Sequence, residues 1–267
     1  LFRSPLASPT TTLGNIASWV AQYLETDGPA ISHSITCSTA LHALLNGVSW
    51  LEAKRSRRFL VGGSEAPLTT FTIAQMQALR IYADGPASNY PCRAGDEQKQ
   101  QNTMVLGEGA ACFCLEANPA HPLAWIEGIG YGTERIPSPT ALTARADCLQ
   151  RSMSMACTEA GRPGVDLIVS HTPGTVLGDR AELQAIRRVF GTDIPALTNN
   201  KWKIGHTLGA SGALSLEMAL LMIQHGRFVE VPYLEGAVRR PDGVLRRVMV
   251  NAVGFGGNAV SVLLKAP

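Results

Sequence analysis

The sequence lacks several features that would assign it to common functional classes. Its longest apolar run, residues 213–223, is interrupted by Glu217 and is shorter than the roughly 20 residues that a membrane-spanning helix needs. A charge excess is also missing, because 23 Lys and Arg stand against 21 Asp and Glu, which argues against a nucleic acid as the main partner. The first ten residues, LFRSPLASPT, lack the apolar core of a secretory signal. We therefore expect a cytoplasmic protein that neither spans a membrane nor binds nucleic acid.

The six cysteines form no recognisable pattern. None has a partner at CxxC spacing, and a zinc site would need further ligands that the sequence does not show. Cys112 and Cys114 lie two apart in a predicted strand and therefore share one face. Scattered cysteines are typical of small buried side chains in a reducing compartment. We expect no bound metal.

The composition is that of a folded α/β protein. The 267 residues are 45% hydrophobic and 16% charged, which excludes a disordered chain, and the length fits one large domain or two small ones. Short apolar strands alternate with helical patterns. The predicted strands are residues 30–35, 57–63, 103–117 (a strand pair), 124–132, 166–171, 195–199, 227–233, 244–253 and 258–266, and the predicted helices are residues 38–55, 145–160, 178–191 and 209–226.

Cys37 is the best candidate for a nucleophile. It lies where a predicted strand turns into a helix, between Thr36 and the pair Ser38 and Thr39. Free N–H groups and the positive end of the helix dipole at this point favour the thiolate, so we expect a lowered pKa. The alternative is a buried, unreactive cysteine. His42 lies about 140° around the helix from Cys37, which favours packing or capping over a role as its base.

Two other histidines lie in a more suggestive context. His171 ends a buried strand, and ligands of open α/β sheets collect beyond the carboxyl ends of strands. His206 lies among glycines that allow close backbone approach, five residues after Lys201. Asp179 and Glu182 are three residues apart at a predicted helix start and share a face. Each residue alone fits a structural role, but the combination favours a site.

The segment GFGGN, residues 254–258, connects two predicted strands. It is a poor phosphate cradle because no helix follows it. A flexible loop that carries one aromatic side chain, Phe255, could instead gate a pocket.

These motifs together resemble the β-ketoacyl-acyl carrier protein synthases of the thiolase superfamily. The matching segments, in chain order, are ITCSTALHALLNGV, LVGGSEAPLTTFTIAQMQAL, CRAGD with VLGEGAACFCLE, HTPGTVLGDRAE, NKWKIGHTLGASG and NAVGFGGNAV. The resemblance implies an α/β, thiolase-like fold of duplicated βαβαβ halves with helices layered between two sheets. Residues 1–123 would be the remainder of the N-terminal half and residues 124–267 the C-terminal half. Only 36 residues precede Cys37, so we expect an incomplete first half, an upstream segment elsewhere, and no independent folding of this chain.

The resemblance also implies a role for each candidate residue. Cys37 would carry an acyl group, and His171 and His206 would stabilise the enolate formed when a malonyl thioester loses CO₂. Lys201, Asp179 and Glu182 would orient the histidines. The N–H groups of Cys37 and Phe255 would form the oxyanion hole, and Phe255 would also be the gate. The substrate-binding residues would be Thr175, Gly256 and Gly257. Neither a metal nor a cofactor is needed.

The same resemblance implies partners and leaves alternatives open. Acyl carrier protein would deliver both substrates, and residues 29–35 would pair with their counterpart in a homodimer or in a heterodimer with a ketosynthase-like chain. The pathway could make fatty acids, polyenes or polyketides. The sequence departs from the family pattern at several positions, such as Pro173, where the family has threonine. These departures leave the reaction expected and put the identity of the substrate in question. The alternatives are a non-catalytic chain-length factor, which would lack Cys37, and a thiolase, which would have a second cysteine near the glycine loop.

Overall fold

The computed structural model describes residues 14–84, 89–136, 138, 142–234, 236, 239–241 and 243–267. The strands are β1 (Arg58–Glu65), β2 (Gly109–Glu116), β3 (Trp125–Thr133), β4 (Leu167–Val169), β5 (Ala196–Thr198), β6 (Arg247–Gly254) and β7 (Asn258–Lys265). The α-helices are α1 (Asn15–Tyr23), α2 (Thr39–Glu52), α3 (Thr70–Ala78), α4 (Asp147–Glu159), α5 (Val176–Phe190), α6 (Lys201–Ile204) and α7 (Ser211–His225). Short 3₁₀ turns cover Thr36–Ser38, Leu208–Ala210 and Pro232–Leu234.

The second part of the chain forms a five-stranded mixed sheet in the order β3-β7-β6-β4-β5. β4 pairs in parallel with both β5 and β6, whereas β7 pairs antiparallel with β6 and β3. All five strands were predicted from their apolar runs, and the glycine loop connects β6 to β7 as expected. The carboxyl ends of β4 and β5 therefore lead to adjacent loops, which carry His171 and Lys201.

Both faces of this sheet are buried, as the alternation along β6 shows. Val248 and Val250 belong to a core cluster with α2 and α7, while Met249 and Val253 belong to a second cluster with α4 and α5. Side chains two apart on a strand point to the same face, so β6 supplies both cores. Burial on both faces explains why apolar residues predominate in this strand instead of alternating with polar ones.

A second, two-stranded sheet covers the other side of the central helices. β1 and β2 pair antiparallel, and Val61 of β1 packs with Leu41 and Leu44 of α2. Helices α2 and α7 contact strands of both sheets. The architecture is therefore α/β and thiolase-like, with helices layered between two sheets, as the resemblance implied.

Several sequence predictions are wrong, most of them in the first part of the chain. Residues 30–35 form no strand, because no neighbouring strand among the described residues provides hydrogen-bond partners for them. Residues 30–35, the helix α2 and β1 therefore form no parallel βαβ unit, and β1 pairs antiparallel with β2. Only Gly109–Glu116 of residues 103–117 is a strand, although Met104 and Leu106 each make a single bridge. Residues 227–233 are coil ending in a 3₁₀ turn.

The six cysteines all lie within the described ranges, and their thiols are free. Cys112 and Cys114 share one face of β2, as predicted, but that face is exposed rather than buried. Over the described residues, no helix combines the length and the apolar character required to cross a bilayer.

Candidate active site

Cys37 lies in the 3₁₀ turn that leads into α2, and its exposure is 7%. Two hydroxyl groups stabilise this turn from within. Thr39 Oγ1 accepts from the N–H of Ile35 at 2.9 Å and donates to the carbonyl oxygen of Thr36 at 2.6 Å. Ser38 Oγ donates to the carbonyl oxygen of Ile35 at 3.0 Å. The hydroxyl residues around the cysteine thus shape the turn that presents it.

The electrostatic surroundings of Cys37 correct the sequence-based expectation of a lowered pKa. Burial raises the pKa of the thiol to about 12, because the thiolate loses its hydration. The positive charge of Lys201 opposes this rise, as do hydrogen bonds from the backbone N–H groups of Cys37 and Phe255, while Glu65 adds to it. The backbone N–H at the helix end does lower the pKa of Cys37, as the sequence predicted. The loss of hydration on burial raises it by more, and the sequence did not reveal that burial.

This balance predicts the pH dependence of Cys37 alkylation. Below its pKa a thiol gains thiolate about tenfold per pH unit, so the iodoacetamide reaction rate should rise by about that factor per unit from pH 7 to 9 without a plateau. Peptide mass spectrometry at each pH measures the rate, and Cys114, which is exposed on β2, provides a comparison in the same sample. A plateau near pH 7 for Cys37 would contradict the dominance of burial.

The two candidate histidines lie side by side. Their ring centroids are 5.1 Å apart with the rings nearly perpendicular, and their exposures are 3% for His171 and 2% for His206. His171 follows the carboxyl end of β4, as predicted, and His206 follows Gly205, whose φ of +73° favours glycine. Residues 35 positions apart in sequence thus form one buried pair.

Both imidazoles are neutral. Burial lowers the pKa of His206 to about 3 and that of His171 well below its usual range, and the positive charge of Lys201 lowers both further. A neutral imidazole keeps one N–H donor and one acceptor nitrogen. The pair can therefore donate hydrogen bonds to a substrate oxygen without carrying charge.

A segment of the first part of the chain supports the loops of both histidines. The N–H of His206 donates to the carbonyl oxygen of Val105 at 2.6 Å, and the N–H of Gly107 donates to the carbonyl oxygen of His206 at 3.1 Å. The N–H of Thr103 donates to the carbonyl oxygen of Gly174 at 2.8 Å, and Thr103 Oγ1 donates to it at 2.9 Å. Residues 103–107 thus fix the spacing of the histidine loops.

Glu182 supports the backbone of the first histidine loop. Its carboxylate accepts hydrogen bonds from the N–H of His171 at 2.9 Å, from the N–H of Thr172 at 2.6 Å and from Asn251 Nδ2 at 3.1 Å. Burial raises the pKa of Glu182, and these donors oppose the rise. Glu182 therefore holds the backbone at His171, and its role in orienting the histidine for catalysis stays a prediction.

Asp179 also supports that loop, together with a lysine that the sequence analysis missed. The Asp179 carboxylate accepts from the N–H of Gly95 at 2.7 Å and of Gly174 at 2.9 Å, and it forms an ion pair with Lys99. Both side chains of the pair are almost fully buried. Burial raises the pKa of Asp179, whereas Lys99 and the two backbone donors lower it.

Removal of Lys99 should therefore destabilise the protein. Lys99→Met leaves a buried carboxylate without its cation, and breaking a buried pair from one side costs about 3–5 kcal/mol. Urea unfolding measures this loss, and Lys54→Met, at an exposed lysine, should change stability by less than about 0.5 kcal/mol. The double variant Lys99→Met with Asp179→Asn should recover part of the loss. If Lys99→Met matches Lys54→Met, the ion pair does not stabilise the fold.

Lys201 is buried at the start of α6, with 1% exposure. Burial lowers its pKa to about 8, while the negative charges of Glu182 and Asp179 oppose that change. Its Nζ donates to Ser215 Oγ at 3.4 Å. Lys201 thus retains a positive charge at neutral pH and places it where it lowers the pKa values of the thiol and of both imidazoles.

The other predicted residues occupy the β6–β7 turn and the start of α5. Gly256 and Gly257 have φ values of +92° and +69°, which favour glycine, and Phe255 is half-buried. Thr175 caps α5, because its hydroxyl accepts from the N–H of Gly178 at 3.2 Å. Its hydroxyl therefore has a structural partner, and its predicted contact with substrate stays a prediction.

Sequence reasoning also missed Glu65. Its carboxylate accepts from the N–H of Gly209 at 3.0 Å, in the turn after His206, and its charge raises the pKa of Cys37. The only sequence signal was its place in the GGSEA segment. Among the described residues, no group of three His, Cys, Asp or Glu side chains is arranged to hold a metal ion.

Two family models match most of this chain. Residues 3–121 match the β-ketoacyl synthase N-terminal domain, and residues 123–234 match the β-ketoacyl synthase C-terminal domain. Nodulation protein E of Rhizobium leguminosarum bv. trifolii is 30% identical over 85% of this chain and 55% of that protein. The ketoacyl synthase alpha subunit of the Streptomyces glaucescens tetracenomycin polyketide synthase is 30% identical over 95% of this chain and 64% of that protein.

Solved structures show the same fold. A type II polyketide ketosynthase in complex with its acyl-carrier protein superposes with a TM-score of 0.88 at 21% identity, over 99% of this chain and 69% of the other. A ketosynthase of Xenorhabdus doucetiae in complex with its chain length factor gives a TM-score of 0.82 at 25% identity, over 96% and 65%. The chain thus spans about half to two thirds of the length of the relatives it matches.

Proposed function

Because the chain belongs to the β-ketoacyl synthase family, we propose that it performs a decarboxylative Claisen condensation of an acyl thioester with malonyl-acyl carrier protein. The product is a 3-oxoacyl thioester in the biosynthesis of a fatty acid, polyene or polyketide. One observation carries the proposal: the buried Lys201 lies within electrostatic reach of both the buried Cys37 thiol and a pair of neutral histidines.

The first step would transfer the acyl group to the protein. The sulfur of Cys37 attacks the carbonyl carbon of the acyl thioester, and the negative charge that develops on the carbonyl oxygen accepts hydrogen bonds from the N–H groups of Cys37 and Phe255. Both N–H groups lower the pKa of the Cys37 thiol, so they favour negative charge at this point, which supports their role as an oxyanion hole. The carbon–sulfur bond to the carrier then breaks, and the carrier thiol takes up the proton lost by Cys37.

The second step would generate the carbon nucleophile. The bond between the malonyl α-carbon and its carboxylate breaks, CO₂ leaves, and the electron pair forms an enolate of the thioester. His171 and His206 donate hydrogen bonds to the enolate oxygen, which explains why two neutral imidazoles lie 5.1 Å apart in one buried site. Glu182 holds the backbone of His171 in this position.

The third step would join the two carbon chains. The enolate carbon attacks the carbonyl carbon of the acyl group on Cys37, and the same two N–H groups stabilise the resulting oxyanion. Collapse of this intermediate breaks the bond to sulfur and releases the 3-oxoacyl thioester on its carrier. The sulfur leaves as a thiolate, stabilised by the charge of Lys201, and takes up a proton.

A non-catalytic chain-length-factor role is the alternative, and structural neighbours include ketosynthase complexes with such a subunit. The presence of Cys37 and both histidines favours catalysis. For partners, we propose acyl carrier protein and a homodimer or ketosynthase-like heterodimer. The exposed, strandless residues 29–32 leave backbone groups available for pairing at that interface.

The direct test is product formation. The purified protein, together with any upstream segment that accompanies this chain, is incubated with acyl- and malonyl-acyl carrier protein, and carrier-bound species are identified by mass spectrometry. The proposal predicts a carrier whose acyl chain has grown by two carbons and a keto group, with one CO₂ released for each product. If malonyl carrier stays intact when an active partner ketosynthase is absent and is consumed only when it is added, the chain-length-factor role is favoured.

A further inference from the structure

The hydroxyl of Thr36 donates to a residue outside the 3₁₀ turn that carries Cys37, whereas the neighbouring hydroxyls bond within or next to it. Thr36 Oγ1 donates to the carbonyl oxygen of Phe255 at 3.1 Å, across 219 positions of sequence. The hydroxyls of Ser38 and Thr39 bond within residues 35–39. Thr36 therefore connects the turn that presents Cys37 to the glycine loop between β6 and β7.

The contact between Thr36 and the glycine loop is close. A Cβ atom at Gly254 would lie 2.0 Å from Thr36 Oγ1 and 3.1 Å from the backbone nitrogen of Cys37, so only glycine fits. Thr36 itself has a φ of +47°, which is rare for a β-branched residue. Such a conformation persists only where the surroundings determine it, and the bond to Phe255 is one such constraint.

The hydrogen bond from Thr36 constrains Phe255, the residue whose N–H group acts on the Cys37 thiol. The carbonyl oxygen of Phe255 accepts from Thr36, and the N–H of the same residue lowers the pKa of the Cys37 thiol. Because both groups belong to one residue next to flexible glycines, fixing the carbonyl limits how far the N–H can turn. We propose that Thr36 is a positioning residue whose hydroxyl holds Phe255 so that its N–H stays directed at the Cys37 sulfur. As a claim about acyl transfer, this inference rests on the proposed function.

The test compares two substitutions at one position. Thr36→Val keeps the branched shape and removes the hydroxyl, while Thr36→Ser keeps the hydroxyl. Loss of one hydrogen bond corresponds to about tenfold at most in local opening, so amide exchange in residues 254–258 should accelerate by about that factor in Thr36→Val and stay within about twofold of wild type in Thr36→Ser. Thr158→Val is the matched control, because Thr158 donates to a carbonyl oxygen in α4, far from the site.

A kinetic measurement separates positioning from a general structural role. Acyl transfer to Cys37 should slow by about tenfold in Thr36→Val and recover in Thr36→Ser, because the oxyanion formed in this step accepts a hydrogen bond from the Phe255 N–H. Decarboxylation of malonyl carrier protein, which relies on the histidines, should change by less than about twofold. Equal losses in both steps, without recovery in Thr36→Ser, would overturn the proposal.

The exchange measurement keeps this inference separate from the proposed function. If wild-type protein accepts no acyl group but Thr36→Val still loosens the loop, the structural link stands and the proposed function fails. If wild-type protein is acylated and Thr36→Val matches it in both exchange and acyl transfer, the link is wrong and the proposed function stands. Thermal unfolding of each variant verifies that it is folded.

Discussion

Replacement of Cys37 with serine is expected to reduce formation of the 3-oxoacyl product by at least about 10³-fold, since loss of a catalytic nucleophile typically costs this much or more. The serine hydroxyl would be buried in the same way but is a much weaker nucleophile, because its proton is harder to remove. The measurement is the initial rate of product formation from acyl- and malonyl-acyl carrier protein, followed by mass spectrometry.

The matched control for this variant is Cys114→Ser. Cys114 lies on the exposed face of β2, so its replacement should leave the rate within about twofold of wild type. Cys37→Ser should also stay folded, because serine is nearly isosteric with cysteine. A Cys37→Ser protein that retains more than about a tenth of wild-type activity would show that another group carries the acyl chain.

The second large effect concerns the histidine pair and should be selective. His171→Ala and His206→Ala are each expected to lower malonyl decarboxylation by about 10²–10³-fold, the usual cost of removing one donor to a developing oxyanion. Acyl transfer to Cys37 should fall by less than about tenfold, because the N–H groups of Cys37 and Phe255 remain to stabilise that transition state. Release of CO₂ and acylation of Cys37 are measured separately on each variant.

His121→Ala is the control for the histidine variants. His121 is exposed and lies in the loop before β3, so its loss should affect neither step. A histidine variant that releases CO₂ at the wild-type rate would remove that histidine from the proposed enolate site. Equal loss of both steps would instead point to a collapsed site, which circular dichroism and thermal unfolding would reveal.

The sheet of the second half could be predicted from the sequence because its strands are buried on both faces. β6 and β7 are predominantly apolar, and β4 ends two residues before His171. The prediction for residues 30–35 failed because a strand needs a hydrogen-bonded neighbour, which local composition does not reveal. The strand predicted for residues 227–233 was wrong for the same reason.

Site residues could be predicted where neighbouring sequence marks them. They could not be predicted where contacts between distant segments determine their position or their burial. Spacing grouped Asp179 with Glu182, and turn position drew attention to Cys37. Lys99 was missed because its pairing with Asp179 spans 80 positions and depends on the loops packing together. The pKa of Cys37 was misjudged because the helix end is visible in the sequence, whereas the degree of burial is not.

The central claim is that Cys37 carries the acyl group, and peptide mass spectrometry tests it most directly. The purified protein, together with any upstream segment that accompanies this chain, is incubated with acyl-acyl carrier protein alone and digested, and every cysteine-containing peptide is examined for the acyl mass. We expect one acyl group per chain, on Cys37, with the peptides of Cys92 and Cys112 unmodified. An acyl group on Cys92 or Cys112 with Cys37 unmodified, or a chain that stays unacylated, would contradict it.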